Sequence, residues 1–134
     1  MIFEKNRLET FTQWIYKDDN KAKCTPEKMA KAGFYVVSEN EPGTVKCFVC
    51  LKTLDGWERD DDPIGEHIKH APQCPFIKLN KKESDLTLNE IISLCENMEI
   101  NILEQKLQEY CRKFNEMQDK MINQLRNSEK KKKN

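Results

Sequence analysis

The 134-residue chain has no proline or glycine after residue 76: Pro26, Pro42, Pro63, Pro72 and Pro75 precede it, as do Gly33, Gly43, Gly56 and Gly65. That absence divides the chain into a turn-rich first part and a second part free of helix-breaking residues. Long apolar runs are also lacking, and none approaches the ~18 residues of a membrane-spanning helix. Met1 to Arg7 has no apolar stretch of the secretory-signal kind, so the protein is expected to stay inside the cell. Neither sign of charge is in excess, with 23 Lys+Arg against 23 Asp+Glu, so charge alone implies no polyanionic partner such as duplex DNA. Apolar residues are 37% and charged residues 34%, which suits a small core followed by an extended, solvated element better than one globule.

In the first part, Leu8, Phe11, Trp14 and Ile15 recur at helical spacing and predict a short amphipathic helix. Thr25-Pro26-Glu27 predicts a second, capped by Thr25, with Pro26 at its first position and Gly33 as its stop. Phe34 to Val37 and Val45 to Phe48 read as strands joined by a turn at Glu41 to Thr44, with Thr53-Leu54 a short third. Pro63 to His70 reads as another short helix. In the second part Thr87 and Glu90 form a capping box that opens one helix running to about Asn127. Ile100, Leu103, Leu107, Tyr110, Phe114, Met117 and Met121 occupy a and d positions of three heptads, and Ile122 and Leu125 broaden the stripe. A helix so patterned requires something to cover this face: partner helices, a second copy, or its own first domain.

Six cysteines are present, Cys24, Cys47, Cys50, Cys74, Cys95 and Cys111. Cys47-x2-Cys50-x16-His67-x6-Cys74 supplies three thiolates and an imidazole, the donor set of a closed structural zinc site. Thiolate softness excludes magnesium and calcium, and four protein ligands leave no position for a catalytic water. A Cys–His nucleophile fits the paired cysteines less well than a metal does. Cys24, Cys95 and Cys111 lack metal-like spacing and read as packing residues. Asp55, Glu58, Asp60, Asp61, Asp62 and Glu66 surround Trp57, with Lys52 before them and His70 after. Carboxylates beside an aromatic wall suit the ammonium of a peptide N-terminus, with Lys52 and His70 placed for a phosphate further along. The same composition also describes a solvated acidic loop over a core tryptophan.

Gly33-Phe34-Tyr35, Val45 to Cys50, Leu54, Gly56-Trp57-Glu58, Asp62-Pro63, Glu66-His67, Cys74 and Phe76 together resemble a baculoviral IAP repeat, the BIR domain of the inhibitor-of-apoptosis family. The likeness covers about Arg7 to Ile77. Cys24 to Ala30, Glu39 to Pro42, Trp57 to Pro63 and Leu86 to Glu90 narrow it to a branch with one BIR domain, no RING domain and a long helix.

The resemblance implies an α+β fold: a BIR domain over residues 1–80, with a short three-stranded antiparallel sheet and short helices round one structural Zn2+. A linker, one long C-terminal α-helix and a basic tail, Lys130 to Lys133, fill 81–134. It implies a non-enzymatic peptide binder, reading the histone H3 tail phosphorylated on its third residue. Asp55 and Asp61 would hold the peptide's amino group, Leu54 and Trp57 would wall its first side chain, and Lys52 and His70 would meet the phosphothreonine. Asp55 stands where the protein most resembled has the longer Glu. Ile92, Met98, Ile102, Leu107, Phe114, Met117 and Met121 would dock borealin-like and inner-centromere-protein-like helices. That assembly is the chromosomal passenger complex, which localises Aurora B kinase to centromeres and the spindle midzone in dividing cells, with nuclear and cytoplasmic residence. The alternative use of the groove is capture of alanine-started pro-death peptides or regulation of caspases. A homodimer through the linker is also implied, although Glu83 replaces a phenylalanine there. Thr25-Pro26-Glu27-Lys28 matches a proline-directed phosphorylation site.

Overall fold

The structure is a computed structural model that describes the backbone of residues 1–132 and side chains as far as residue 128. Two compact units follow one another along the chain, Met1–Asn101 and a second beginning at Ile102. The first unit holds α1 (Glu4–Leu8), α2 (Pro26–Lys31), β1 (Phe34–Val36), β2 (Val45–Cys47), β3 (Thr53–Leu54), α3 (Pro63–His70), α4 (Pro75–Leu79) and a 3-10 turn at Glu83–Asp85. It also holds the first turns of α5 (Leu88–Lys132). The strands form one antiparallel sheet in the order β1-β2-β3, with Phe34 opposite Cys47 and Val45 opposite Leu54. β3 is therefore an edge strand with one side unpaired in the sheet.

Local chemistry accounts for most of these boundaries. Pro26 and Pro63 occupy first-turn positions, where a missing N–H costs nothing. The Asp62 carboxylate caps α3 by accepting from Gly65 N at 2.9 Å. Gly33 ends α2 at φ +91°, and a Cβ there would meet the Phe76 ring at 2.9 Å, so this position requires glycine twice over. Thr87 and Glu90 form the expected capping box: Glu90 Oε2 accepts from Thr87 N at 2.8 Å, and Thr87 Oγ1 accepts from Glu90 N at 3.3 Å. Lys81 Nζ binds the same carboxylate at 2.6 Å and, with Thr87, holds its pKa down at about 2.

The N-terminal region departs from the sequence expectation. The helix is Glu4–Leu8, whereas Glu9 to Ile15 runs as successive turns. Thr10 accounts for the difference: its hydroxyl donates to Arg7 O at 2.6 Å and accepts from Val36 N at 2.9 Å, tying the chain to β1 where a helix would continue. Phe11 and Trp14 still share one buried cluster, edge to face at 5.3 Å, because a tight turn also brings residues three apart together. Thr25 takes the N-cap position of α2 without a side-chain cap bond. Of the cysteines expected to pack, Cys24 is buried and Cys95 half-buried, but Cys111 is exposed on α5.

The first unit also takes in the early turns of α5, which pack against the preceding residues. Leu94 enters the core at 3% exposure, and Asn101 Nδ2 donates to Val49 O at 2.8 Å. Beyond it, the second unit is α5 alone. Leu103, Leu107, Tyr110, Phe114, Met117, Met121 and Leu125 are all exposed there, while Glu109–Lys113 and Arg112–Glu116 pair along the helix. The tail at Lys130 to Lys133 lies outside the residues whose side chains are described.

The tie between the N-terminus and the rest is Arg7, a charged residue with 0% exposure. Its Nε donates to Ala30 O at 2.9 Å and its Nη1 to Met1 O at 2.9 Å, while the guanidinium lies 4.5 Å from the Phe48 ring centre. Burial pulls its pKa down from the ordinary value, and Glu83, 3.4 Å from Nη2, opposes that shift. Glu83 Oε2 also accepts from Glu4 N. Replacing Arg7 with methionine keeps much of the volume but strands these carbonyls and the carboxylate, so Arg7→Met is expected to cost about 2–4 kcal/mol. Glu83→Gln, which keeps an acceptor, should cost less than about 1.5 kcal/mol. Urea unfolding of the metal-loaded variants measures both.

Candidate metal centre and peptide groove

Cys47 ends β2, Cys50 closes the turn after it, His67 lies on α3 and Cys74 stands immediately before α4. Their four ligand atoms all lie within 4.8 Å of one another. Cys47 Sγ is 3.9 Å from Cys74 Sγ, and Cys50 Sγ is 3.5 Å from His67 Nε2. An ion with tetrahedral bonds of about 2.0–2.3 Å places its donors at such separations. His67 Nδ1 lies 2.8 Å from Ala32 O, so it is the N–H that donates, and Nε2 keeps its lone pair for an ion. Leu51 adopts φ 59° as the chain leaves the turn, a strained value for a branched side chain, and its amide returns to Cys47 O at 3.1 Å. Val49 N points at Cys47 Sγ from 3.4 Å, as expected for a knuckle that stabilises a thiolate.

The electrostatics favour a cation. Burial first, and the neighbouring sulfurs next, push the Cys47 thiol far above its ordinary pKa. His67 stands at about 9: burial lowers it, and hydrogen bonds to Cys50 and Cys74 outweigh that. Three sulfurs this close ionise together only when positive charge sits among them. The four residues fit a metal ion by geometry, tautomer and donor chemistry.

A hollow of about 230 Å³ opens beside β3, lined by Leu54, Asp55, Gly56, Trp57, Glu58, Asp61, Glu66, Lys69 and His70. Of the expected groove residues it brings together Leu54, Asp55, Trp57, Asp61 and His70. Lys52 is exposed but does not line it, since two residues of extended chain carry it about 6–7 Å further along the edge from Leu54. Lys69 supplies a cation on the wall instead, and the signal for it was its place on the α3 face shared by Glu66 and His70. Glu66 holds both neighbours, Lys69 Nζ at 3.1 Å and His70 Nε2 at 3.2 Å. Asp61 Oδ2 accepts from Glu58 N at 2.7 Å, fixing the acidic loop. Arg59 clamps the same loop to Asp19 through two bonds, at 2.7 and 3.1 Å. Trp57 is nearly buried, and its indole N–H has no hydrogen-bond partner among the described residues.

The helix residues expected to meet partners divide in two. Met98 and Ile102 are half-buried, whereas Ile92, Leu107, Phe114, Met117 and Met121 are exposed.

A three-stranded sheet and short helices folded round a three-cysteine, one-histidine centre define a small metal-knuckle domain. Residues 7–78 match the Inhibitor of Apoptosis domain, BIR, and the chain belongs to that family. It is 50% identical over 101 residues to Baculoviral IAP repeat-containing protein 5.2-B of Xenopus laevis, covering 74% of this chain and 63% of the relative. It is 53% identical over 89 residues to protein 5.2 of that series from Xenopus tropicalis, covering 66% and 56%. Baculoviral IAP repeat-containing protein 5 of Rattus norvegicus, survivin, is 45% identical over 95 residues, covering 70% and 66%. The matched region thus spans less than two thirds of these relatives. The family is generally non-enzymatic.

Cys50→Ala and His67→Ala are each expected to abolish binding of one metal equivalent and to unfold the first unit, because a metal supplies much of the folding free energy in domains this small. Cys111→Ala should retain both. Metal analysis and circular dichroism before and after a chelator distinguish these results.

Proposed function

We propose that this chain is a non-enzymatic, zinc-stabilised reader of peptide N-termini that also acts as a helical scaffold, in the manner of a chromosomal passenger subunit. Zinc suits the donor set: Cys47, Cys50, His67 and Cys74 would hold it, and with all four positions taken by protein it supplies folding energy rather than catalysis. The observation that carries the reading is the acidic hollow walled by Trp57 at the free edge of β3. An extended peptide laid along that edge gains backbone hydrogen bonds from β3. Its amino group falls among Asp55, Asp61 and Glu58, and its small first side chain meets Leu54 and Trp57.

In the proposed complex the phosphothreonine of a histone H3 tail extends along the strand toward Lys52, with Lys69 and His70 on the opposite wall. The exposed α5 stripe takes borealin-like and inner-centromere-protein-like helices, and through them Aurora B, at centromeres and the midzone. Similarity to proteins named Baculoviral IAP repeat-containing protein 5 supports this reading. The capture of unmodified alanine-started peptides, the anti-apoptotic use, is favoured by one observation: Glu66 already occupies both Lys69 and His70.

Calorimetric titration separates the two readings. Three peptides beginning Ala-Arg-Thr-Lys carry phosphothreonine, plain threonine, or phosphothreonine with an acetylated N-terminus. The phosphopeptide reader binds the first at least about tenfold more tightly than the others. Equal binding of the first two, with none of the third, establishes the unmodified reader instead. For the helix, Phe114→Glu should leave the first unit folded and abolish co-purification with the two partner helices. Unchanged co-purification would sink the bundle.

A further inference from the structure

Helix α3 separates two surfaces of opposite character. Glu66, Lys69 and His70 face the acidic hollow, while Ile64 and Ile68, one helical turn apart, face the other way. Ile64 is 42% exposed and Ile68 48%. With Phe76 and Ile77 they line a groove of about 310 Å³ whose rim carries Lys31 and Lys82. Phe76 gives it a rigid floor, being packed at 5.1 Å on Phe48 and tight over Gly33. The third rim lysine, Lys81, is held by Glu90. Lys31 and Lys82 make no ion pair among the described residues, and they also flank an adjoining hollow together with Lys5. Glu4 and Glu83 lie in that hollow, but Glu83 is engaged by Arg7 and by the Glu4 amide.

We propose that this groove docks a short acidic segment of a partner protein, with two bulky apolar side chains seated on Ile64, Ile68 and Phe76 and carboxylates facing Lys31 and Lys82. Charge complementarity selects the occupant. An acidic chain is repelled by the Asp55–Glu66 surface on one side of α3 and attracted to the lysines on the other. The apolar floor selects a peptide over a nucleic acid, whose phosphates would leave the two isoleucines uncovered. This surface is separate from the amino-terminal hollow, so one molecule can hold both ligands.

The test uses the zinc-loaded full chain and fluorescein-labelled, N-acetylated peptides of about 12 residues, composed of Asp and Glu apart from two leucines at i, i+3 or i, i+4. Fluorescence anisotropy at low salt should show saturable binding of at least one of them. Ile64→Glu with Ile68→Glu should weaken it at least about tenfold, and Lys31→Glu with Lys82→Glu should do likewise and flatten the salt dependence. Excess unlabelled Ala-Arg-Thr-Lys peptide should not compete. Both pairs are surface changes, and unaltered thermal melts establish that the variants fold; if the double isoleucine variant melts early, Ile68→Ser carries the comparison. The proposal is overturned by no saturable binding up to about 1 mM, by equal binding of peptides with serine for leucine, or by competition from the amino-terminal peptide. Tighter binding of an oligothymidylate strand or phosphatidylserine vesicles that survives the isoleucine substitutions overturns it as well.

Discussion

Everything in the first unit depends on bringing three sulfurs and one imidazole nitrogen to a common point. The four donors come from the end of β2, the turn after it, α3 and the residue before α4, so one ion would join all of these segments. The sheet has three short strands in a domain small enough that a cross-link adds substantially to its stability. Buried thiolates repel one another and resist ionisation, so the arrangement is unfavourable until a cation neutralises it. An ion bound by these four donors would therefore also hold α3 in place, and α3 borders both the acidic hollow and the basic groove.

Two polar ties extend that order outward. Arg7 gathers the carbonyls of Met1, Ile2 and Ala30 and the carboxylate of Glu83, so the N-terminal segment and the approach to α5 meet at one buried guanidinium. Asn101 reaches the carbonyl of Val49, inside the knuckle itself. The start of the long helix is thus registered against the metal turn by a hydrogen bond as well as by burial of Leu94. Past Asn101 the apolar row of the helix is exposed.

The parts of this structure legible in the sequence are those set by local chemistry. The knuckle spacing, Pro63 at the start of α3, Gly33 after α2 and the Thr87–Glu90 box each act within a few residues, and the elements form where those signals stand. Arg7 was not legible as a core residue, because its partners Ala30, Phe48 and Glu83 are distant in sequence and nothing near it marks a buried charge. The helical spacing of Leu8 to Ile15 misled for a similar reason: Thr10 bonds to Val36, a contact that periodicity does not encode. At the acidic surface, composition located the carboxylates, but only the path of β3 and the turn of α3 decide that Lys69 lines the hollow and Lys52 does not. That Leu94 and Asn101 tie the first turns of α5 to the first unit was not legible either, because a lone buried leucine and one asparagine bond leave little trace in a long polar helix.

The aromatic rings form a continuous series, with Phe11 on Trp14, Trp14 on Trp57, Trp57 on Phe34 at 5.6 Å, and Phe34 on His67 at 4.6 Å. The chain has two tryptophans, and both are in this series. One of them walls the acidic hollow, and a single phenylalanine separates it from the candidate ligand His67. The indole emission of the unlabelled protein is therefore an intrinsic optical probe of a single neighbourhood. Binding or loss of a metal ion and occupation of the hollow would both perturb it, while events along α5, which carries no indole, would pass without contributing signal of their own.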